Sequence, residues 1–493
     1  MIHPAIHEAL ILGLIGVSGV STGVLFGVRQ AIPLAATALG VGVSLRDLSA
    51  FAAWSTSTAN LAFDYWLWSS AVVSMVGAIV IREYWREFFS GLTLFGAAAV
   101  AALATKYVFD IGERHHSDSA HTVALALIAI QSETTDLSVI ANSPKRGIAY
   151  PLLLALGPSG RILGGLTPLI MILTVLLAGW LAWSLAGSER SPRVFTISVV
   201  ALGAFSLSVP MFRASFFYLN GHTLMALGLL LMVVAWMTLR QAGEFSAASA
   251  LILGTGGVVG VTARAEGIVL VSILVAFVVS EGQWGGVAAR ARLGGALAVI
   301  GASVTWWFGS LSSPVLDRFG VSVWWLMGLT LVGAALASVS WIDPLRRWIT
   351  PIAGVVLIAL LLREVFSSGK PIGMALAQWP NLGLGAGGWA TAAHMFIGSM
   401  VLIGLTKRSI HFRQLLFASA LVIGGILFTK TFDGGFGGAG FYDSVNRMWL
   451  HVMPLVMTAS LLGYSELLGD IIRQAQQPRY ARRRETDLVI SGQ

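Results

Sequence analysis

The chain contains no cysteine among its 493 residues. Disulfide bonds, thiolate nucleophiles, and zinc or iron–sulfur sites ligated by cysteine are therefore excluded. Any metal site or nucleophile in this protein has to be built from histidine, carboxylate, hydroxyl or amine groups. The absence of cysteine leaves the redox compartment open.

Charged residues are also scarce. They make up 11% of the chain, against 56% hydrophobic residues, whereas soluble domains carry about 25% charged residues. This composition excludes a soluble globular protein and predicts an all-α polytopic membrane protein. The net charge of +8 would favour nucleic-acid binding in a soluble protein. Here most Lys and Arg residues occupy short connections between apolar runs, where they act as topology signals, so no nucleic-acid partner is expected.

Apolar runs of spanning length recur along the chain and predict a transmembrane bundle of about 14 helices. The predicted spans lie near 9–27, 65–81, 88–109, 163–186, 194–212, 216–238, 247–263, 267–282, 293–311, 321–341, 348–365, 388–405, 412–430 and 446–466. Residues 28–63 are ambiguous, because their Ala, Gly, Ser and Thr content fits one short helix, a re-entrant pair or an interfacial segment. We divide the chain into an N-terminal transmembrane extension (1–87), a transmembrane core (88–468) and a basic tail (469–493).

The distribution of Lys and Arg over alternate sides of these spans predicts the orientation. From Arg82 onward, seventeen fall on the side of the basic tail and eleven on the side of the interval 110–161. Ten acidic residues between Asp110 and Asp443 fall on that second side. We therefore expect a cytoplasmic tail and an extracytoplasmic interval 110–161 that carries interfacial helices. The mixed charges of the outer face fit a site for a charged substrate, although solvated loops would give the same pattern.

The interval 110–161 is the longest polar stretch of the chain. Asp118 is expected at the junction between a loop and a short amphipathic helix, where a carboxylate can act as a general base or simply cap the helix. His121 would share a helix face with Asp118. Together with His115 and His116 these residues can ligate a divalent ion, although an exposed polar loop has the same composition.

Two further segments are candidates for binding a substrate. Lys145 and Arg146 precede an amphipathic run, 147–156, that is expected to lie in the membrane interface, with its bases serving as phosphate ligands or as ordinary anchors. Arg264 and Glu266 occupy a tight connection between two apolar helices. Ionisable side chains are costly at such a depth, so the two are either functional or an ion pair that only caps the hairpin.

The last apolar run begins with a third candidate segment. A glycine-rich stretch leads to Asp443 and then into a helix in which Arg447 and His451 share one face, four residues apart. Glycine-rich loops before helices can cradle phosphate, but this one matches no phosphate-loop spacing. Arg447 and His451 are the stronger signal, because ionisable residues inside an apolar run are functional candidates.

These segments together resemble the C-type (GT-C) membrane glycosyltransferases. The similar features are Asp118 with its short helix, the run 149–153, the connection 264–267 and the segment 443–447, so the resemblance covers roughly residues 105–285 and, more thinly, 430–455. It implies a helical core that moves a sugar from a polyprenyl-phosphate donor to a lipid, glycan or protein acceptor. The reaction would take place on the extracytoplasmic side of the inner membrane, in contact with membrane lipids.

By this resemblance Asp118 is the base, and Arg264, Arg447 and Lys145 or Arg146 hold the donor phosphate. The other residues expected to contact substrate are Glu266, His451, Tyr150, His121 and Asp443. No cofactor is implied with certainty, and a divalent cation is left open, with His115, His116, Asp118 and His121 as its candidate ligands.

Two other functions fit the same composition. A multi-pass transporter or lipid flippase would need ionisable residues at midplane depth, and Lys106 is the main candidate for such a residue, although it lies near the end of an apolar run. A non-catalytic membrane scaffold is the other alternative.

Overall fold

A computed structural model describes residues 3–56, 59–109, 149–155, 163–186, 207–216, 221–281, 286–310, 332–340, 343–389, 410–432 and 446–464, with a few isolated positions between them. In these ranges the regular structure is entirely helical, which confirms the predicted all-α bundle. The helices are α1 (Pro4–Leu25), α2 (Ala31–Thr56), α3 (Ala59–Phe109), α4 (Ala149–Leu154), α5 (Leu166–Leu185), α6 (Pro210–Ser215), α7 (Gly221–Ala242), α8 (Ala247–Ala263), α9 (Gly267–Ser280), α10 (Gly286–Ser310), α11 (Asp343–Ser368), α12 (Lys370–Leu382), α13 (Ile410–Phe432) and α14 (446–464).

Among the described residues, 7 helices are long and apolar enough to cross a membrane. The protein is therefore a membrane-embedded helical bundle. The shorter apolar helices α8 and α9 lie inside it. Helix α7 is the most enclosed span, since 94% of its apolar segment is buried. One continuous buried hydrophobic cluster includes residues from α1 through α14.

Several predicted boundaries are corrected by the structure. The ambiguous segment 28–63 contains one long helix, α2. The predicted break between the spans 65–81 and 88–109 is confirmed, because α3 consists of two helical segments that meet at a kink at Tyr84, whose backbone is not helical (φ −127°, ψ 31°). The helix α12 was not predicted, and the spans 194–212, 321–341 and 388–405 are only partly described.

Small residues bring neighbouring helices close together. Gly228 of α7 faces Gly256 of α8 at backbone contact distance, and Gly19 of α1 faces the backbone of Ala38 in α2. Such contacts are typical of packing between membrane helices, where close backbone approach replaces the hydrophobic driving force. They pack α7 against α8 and α1 against α2.

The two ends of the bundle carry different polar groups. Helix α9 has 14 residues, so its ends lie roughly 20 Å apart at about 1.5 Å per residue. We call the C-terminal end of α9 the Glu281 end of the bundle. There the carboxylate of Glu281 accepts hydrogen bonds from Arg240 (2.5 Å) and Trp236 (2.8 Å). Arg290 and Asp343 form an ion pair of 2.6 Å at the adjacent starts of α10 and α11. The opposite end of α9 contains the connection 264–266, and we call it the 264–266 end.

Candidate functional site

The connection between α8 and α9 is the centre of the 264–266 end. Helix α8 ends at Ala263, α9 begins at Gly267, and α7 begins beside them at Gly221. A Cβ atom on Gly221 would lie 2.5 Å from the carbonyl oxygen of Ala263, and one on Gly267 would overlap the carbonyl of Gly260. Only glycine allows these approaches, so the sequence brings the first turn of α7 against the 264–266 connection.

Arg264 and Glu266 form an ion pair within this connection. The Arg264 Nε atom donates to Glu266 Oε1 at 2.5 Å, and the two side chains are only 12% and 10% exposed. Glu266 is the N-cap residue of α9, yet its side chain makes no capping hydrogen bond. The ion pair agrees with both interpretations of the sequence, a functional pair and a pair that only caps the hairpin, so both remain predictions. The Glu266 carboxylate is largely buried in the bundle.

His222 and His451 meet beside this carboxylate. The Nδ1 atom of His222 lies 2.7 Å from Nε2 of His451, and the rings stack at 28° with their centroids 4.8 Å apart. Both side chains are buried, at 3% and 0% exposure. One ligand atom from each of His222, Glu266 and His451 lies within 4.8 Å of the other two. We call these three residues the His–His–Glu cluster.

The start of α14 is fixed by hydrogen bonds from other parts of the chain. Asn446 Nδ2 donates to the carbonyl of Gly387 at 3.0 Å, and Trp389 Nε1 donates to the carbonyl of Asn446 at 3.0 Å. Trp449 Nε1 donates to Gln378 of α12 at 3.3 Å. These bonds set the position and rotation of α14, and they bring His451 to the cluster.

Arg447 lies one helical turn before His451 and is 8% exposed. Its burial agrees with the expectation that this Arg is set into the bundle and is not a solvated surface charge. A buried guanidinium near the 264–266 end can hold an anion through a planar pair of N–H groups. The sequence analysis thus identified four of the ionisable residues at this end: Arg264, Glu266, Arg447 and His451.

Three of the ionisable residues that the structure finds buried at this end were not singled out from the sequence. His222 was placed inside an apolar run and given no role, although the polar sequence Asn220-Gly221-His222-Thr223 at the start of α7 was a usable signal. Asp47 of α2 is 3% exposed and accepts a hydrogen bond of 2.8 Å from Thr262 in the last turn of α8. Glu8 is the third.

Glu8 of α1 is 1% exposed and forms an ion pair with Lys106 near the C-terminal end of α3. Its second oxygen accepts a hydrogen bond of 3.4 Å from the backbone of Gly165, where α5 begins. Lys106, the residue considered for a midplane site, is therefore one half of a buried ion pair close to the ends of three helices.

The short helix α4 differs from the predicted interfacial segment. Tyr150, Leu153 and Leu154 are fully buried, so this helix lies within the bundle and not along the membrane surface. The Tyr150 hydroxyl shares a hydrogen bond with Thr167, and burial raises its pKa above the usual value. Tyr150 is thus a neutral packing residue in this structure, and its expected contact with substrate stays a prediction.

Several predicted site residues lie outside the described residues: Asp118, His115, His116, His121, Lys145, Arg146 and Asp443. Their roles as base, metal ligands and phosphate ligands remain predictions.

An apolar groove begins beside the site. The groove is a cavity of about 390 Å³ lined by one face of α9, by α10, by residues 333–337 and by Ile349. The face of α9 consists of Ile268, Ser272, Val275 and Val279. Ile268 is two residues from Glu266, so the groove extends from the 264–266 end towards the Glu281 end. Its lining is almost entirely hydrocarbon.

Comparison with protein-family models, with curated proteins and with solved structures finds no match for this chain. Its function therefore has to be inferred from the residues themselves and from their geometry.

Proposed function

We propose that the chain is a membrane glycosyltransferase that moves a sugar from a polyprenyl-phosphate donor to a lipid, glycan or protein acceptor. The observation that carries the proposal is the gathering of Arg264, Glu266, His222 and His451 in one partly buried site beside one end of an apolar groove. A donor of this class has an anionic head and a long hydrocarbon chain. Both features find matching surfaces next to each other at the 264–266 end.

The charged head of the donor explains the arginines. When the sugar is transferred, the polyprenyl phosphate leaves with its negative charge, and a cation that contacts it stabilises the transition state. Arg264 lies at the site, and Arg447 is buried one turn from His451. Because Arg offers a planar fork of N–H donors to a phosphate, these two residues are the proposed phosphate ligands.

The hydrocarbon chain of the donor explains the groove. The face formed by Ile268, Ser272, Val275 and Val279 repeats every three or four residues, so it is one continuous stripe of α9. A chain lying on this stripe would place its phosphate near Glu266 and Arg264. Inside the bilayer such a chain exchanges contacts with lipid for van der Waals contacts with the stripe, so the fit between chain and groove, and not removal from water, would stabilise binding.

The proposed orientation places the 264–266 end outside the inner membrane. The Glu281 end holds Arg240, Arg290 and Arg346, which belong to the more basic side of the charge count. The site is at the other end of α9. Under the rule that basic connections stay in the cytoplasm, the reaction would then occur on the extracytoplasmic side.

A transporter or lipid flippase is the second candidate, and the buried carboxylates of Glu8 and Asp47 favour it, because ionisable groups inside a bundle often mark a pathway. Their position weakens the case. Glu8 pairs near helix ends, and Asp47 bonds to the last turn of α8, whereas transport sites lie near the midplane. A site at one end of the bundle suits an enzyme that meets a soluble or surface acceptor.

The test uses the purified full chain in lipid nanodiscs with a panel of radiolabelled polyprenyl-phosphate sugars. Binding of one donor and release of its sugar to an acceptor, or slowly to water, would support the proposal. Arg264→Lys and Arg447→Lys should each weaken donor binding by about tenfold or more, because Lys cannot reproduce the paired contacts of Arg.

Arg363→Lys is the matched control, because Arg363 is exposed on α11. This variant should bind donor like the parent. Donor binding equal to that of the parent in both Arg264→Lys and Arg447→Lys would remove the assignment of the phosphate site. Failure of every donor in the panel to bind, together with substrate movement across the bilayer, would favour the transporter.

A further inference from the structure

We propose that His222, Glu266 and His451 bind one divalent transition-metal ion of the zinc class. The proposal rests on the geometry of these three side chains and does not depend on the proposed function. No cysteine is available in this chain, so a zinc-type site has to use histidine and carboxylate ligands. Two His and one Glu are a ligand set that zinc takes in enzymes, where a fourth position is left for water or substrate.

The three donor groups already converge. Their ligand atoms lie within 4.8 Å of one another, and each comes from a different element: the first turn of α7, the N-cap of α9 and the second turn of α14. A group of ligands drawn from three helices does not arise from local sequence. The close approaches at Gly221 and Gly267 and the hydrogen bonds of Asn446 hold these elements in place.

The spacing of the two imidazoles needs only a small adjustment to accept an ion. Zinc–nitrogen bonds are about 2.0–2.1 Å long, so two nitrogens on a tetrahedral zinc lie about 3.3 Å apart. His222 Nδ1 and His451 Nε2 are 2.7 Å apart. An increase of about 0.6 Å in this distance, within reach of small ring rotations, would replace the shared hydrogen bond by two metal bonds.

Arg264 fits the site as a partner of the ligand Glu266. Carboxylates that ligate metals are themselves hydrogen-bonded, and these outer contacts fix their orientation. The Arg264 Nε atom bonds to Oε1 of Glu266 at 2.5 Å and so fixes the orientation of the carboxylate beside the two histidines. Burial of both histidines excludes water from two sides of the site, which strengthens the attraction between the ion and the carboxylate.

The charge balance indicates what would take the fourth position. A divalent ion, one Glu carboxylate and one Arg guanidinium sum to two positive charges, so an anionic oxygen is favoured there. In the glycosyltransferase proposed above, that oxygen belongs to the donor phosphate. This assignment of the fourth ligand, unlike the binding of the ion, rests on the proposed function.

The experiment measures ion binding directly. The full chain, purified through an affinity tag without histidine and held in nanodiscs, is stripped with a chelator and titrated with Zn²⁺ and with Co²⁺. We expect about one equivalent of ion per chain, a Co²⁺ visible spectrum of four-coordinate intensity, and a rise in the unfolding temperature with Zn²⁺. His222→Ala, His451→Ala and Glu266→Gln should each lower the affinity at least about tenfold.

Two controls locate the ion. His394→Ala removes an exposed histidine and should change nothing. A variant in which His115, His116 and His121 are all replaced by Ala tests the loop cluster suggested by the sequence, and it should keep its ion. If an Ala variant of His222 or His451 does not fold, Asn at the same position keeps a polar group in the buried site while removing the imidazole.

The proposal would be overturned by a parent protein that binds no ion, or by an ion that is lost from the loop variant and kept by the His222 and His451 variants. Because the readouts are metal content, spectrum and unfolding temperature, they remain decisive if no sugar donor is ever turned over. Conversely, an ion that binds as expected to a protein that ignores all polyprenyl-phosphate donors would leave the metal site standing and remove the glycosyltransferase.

Discussion

The Nδ1 atom of His222 lies 2.7 Å from Nε2 of His451, although 229 positions separate the two residues in the chain. The contact joins the first turn of α7 to the second turn of α14. Because both rings are buried and stacked, they fix the rotation of α14 relative to α7 and its position along the helix axis. The same pair that offers two nitrogen ligands therefore also holds α14 against α7 at the 264–266 end.

Gly221→Ala should disturb this end of the bundle without adding or removing any polar group. The new Cβ would lie 2.5 Å from the carbonyl oxygen of Ala263, so the start of α7 must move away from α8 and carry His222 with it. Overpacking of this kind typically costs about 1–3 kcal/mol. We expect a lower unfolding temperature in detergent and a weaker affinity for Zn²⁺.

Gly96→Ala is the matched control, because a Cβ at Gly96 of α3 meets nothing within 4 Å. The same change there should leave the protein as stable as the parent or slightly more stable, since Ala is favoured over Gly inside a helix by about 1 kcal/mol. Equal effects of the two substitutions would show that the approach of α7 to α8 does not control the site.

Part of the site could be predicted from local sequence. Arg264 and Glu266 stand two residues apart in a very short connection, so their pairing needs no tertiary information. Arg447 and His451 were recognised because they share a face inside an apolar run. His222 was missed because a single His at the start of an apolar helix has no local partner. Only the packing of α14 against α7 gives it one.

The helices show the same division between local and tertiary information. The bounds of α8, Ala247–Ala263, were predicted as observed, because polar residues flank its apolar run on both sides. The break within α3 was also predicted, because a polar interval separates its two apolar runs, and the structure places the kink in that interval at Tyr84. Helix α12 was missed because its 13 residues are too short to span a membrane.

The buried pair of Glu8 and Lys106 should be tested by a double-mutant cycle. Glu8→Gln leaves the Lys106 ammonium in a site where its side chain is 14% exposed, and removing one partner of a buried pair costs about 3–5 kcal/mol. Lys106→Met leaves the carboxylate in the same position. We expect each single variant to unfold at a markedly lower temperature than the parent.

The double variant Glu8→Gln/Lys106→Met should recover much of this loss, because it no longer buries a lone charge. Thermal unfolding in the same detergent compares all four proteins. A double variant whose loss equals the sum of the two single losses would show that the two groups are not energetically coupled.

The orientation can be measured cleanly because the parent chain has no cysteine. Single cysteines at Thr135, in the interval 110–161, and at Glu244 and Gln493, on the expected cytoplasmic side, are exposed in turn to an impermeant thiol reagent. Glu244 suits this test because its side chain is 60% exposed near the Glu281 end.

In intact cells we expect labelling at Thr135→Cys alone, and in permeabilised cells at all three positions. Labelling of Glu244→Cys and Gln493→Cys but not of Thr135→Cys in intact cells would reverse the topology. The His–His–Glu cluster would then face the cytoplasm.

The proposed general base, Asp118, can be separated from a helix cap by a single substitution. Asn caps a helix about as well as Asp but cannot accept a proton, whereas loss of a positioned general base typically lowers the rate by about 10²–10⁴. Asp118→Asn should therefore express and unfold like the parent while glycosyl transfer falls at least about a hundredfold. Transfer is measured with saturating donor, so that a change in donor binding does not enter the rate.

Glu266→Gln and Asp443→Asn are the comparison variants, because both carboxylates were expected to contact substrate. If Asp118→Asn turned over like the parent and Asp443→Asn did not, the base would be Asp443. The same loss in Glu266→Gln has two explanations, and metal content distinguishes them. A variant that keeps its ion but loses transfer would make Glu266 the base, whereas a variant that loses both would make it a ligand, because the carboxylate cannot hold the ion and accept the proton from the same position.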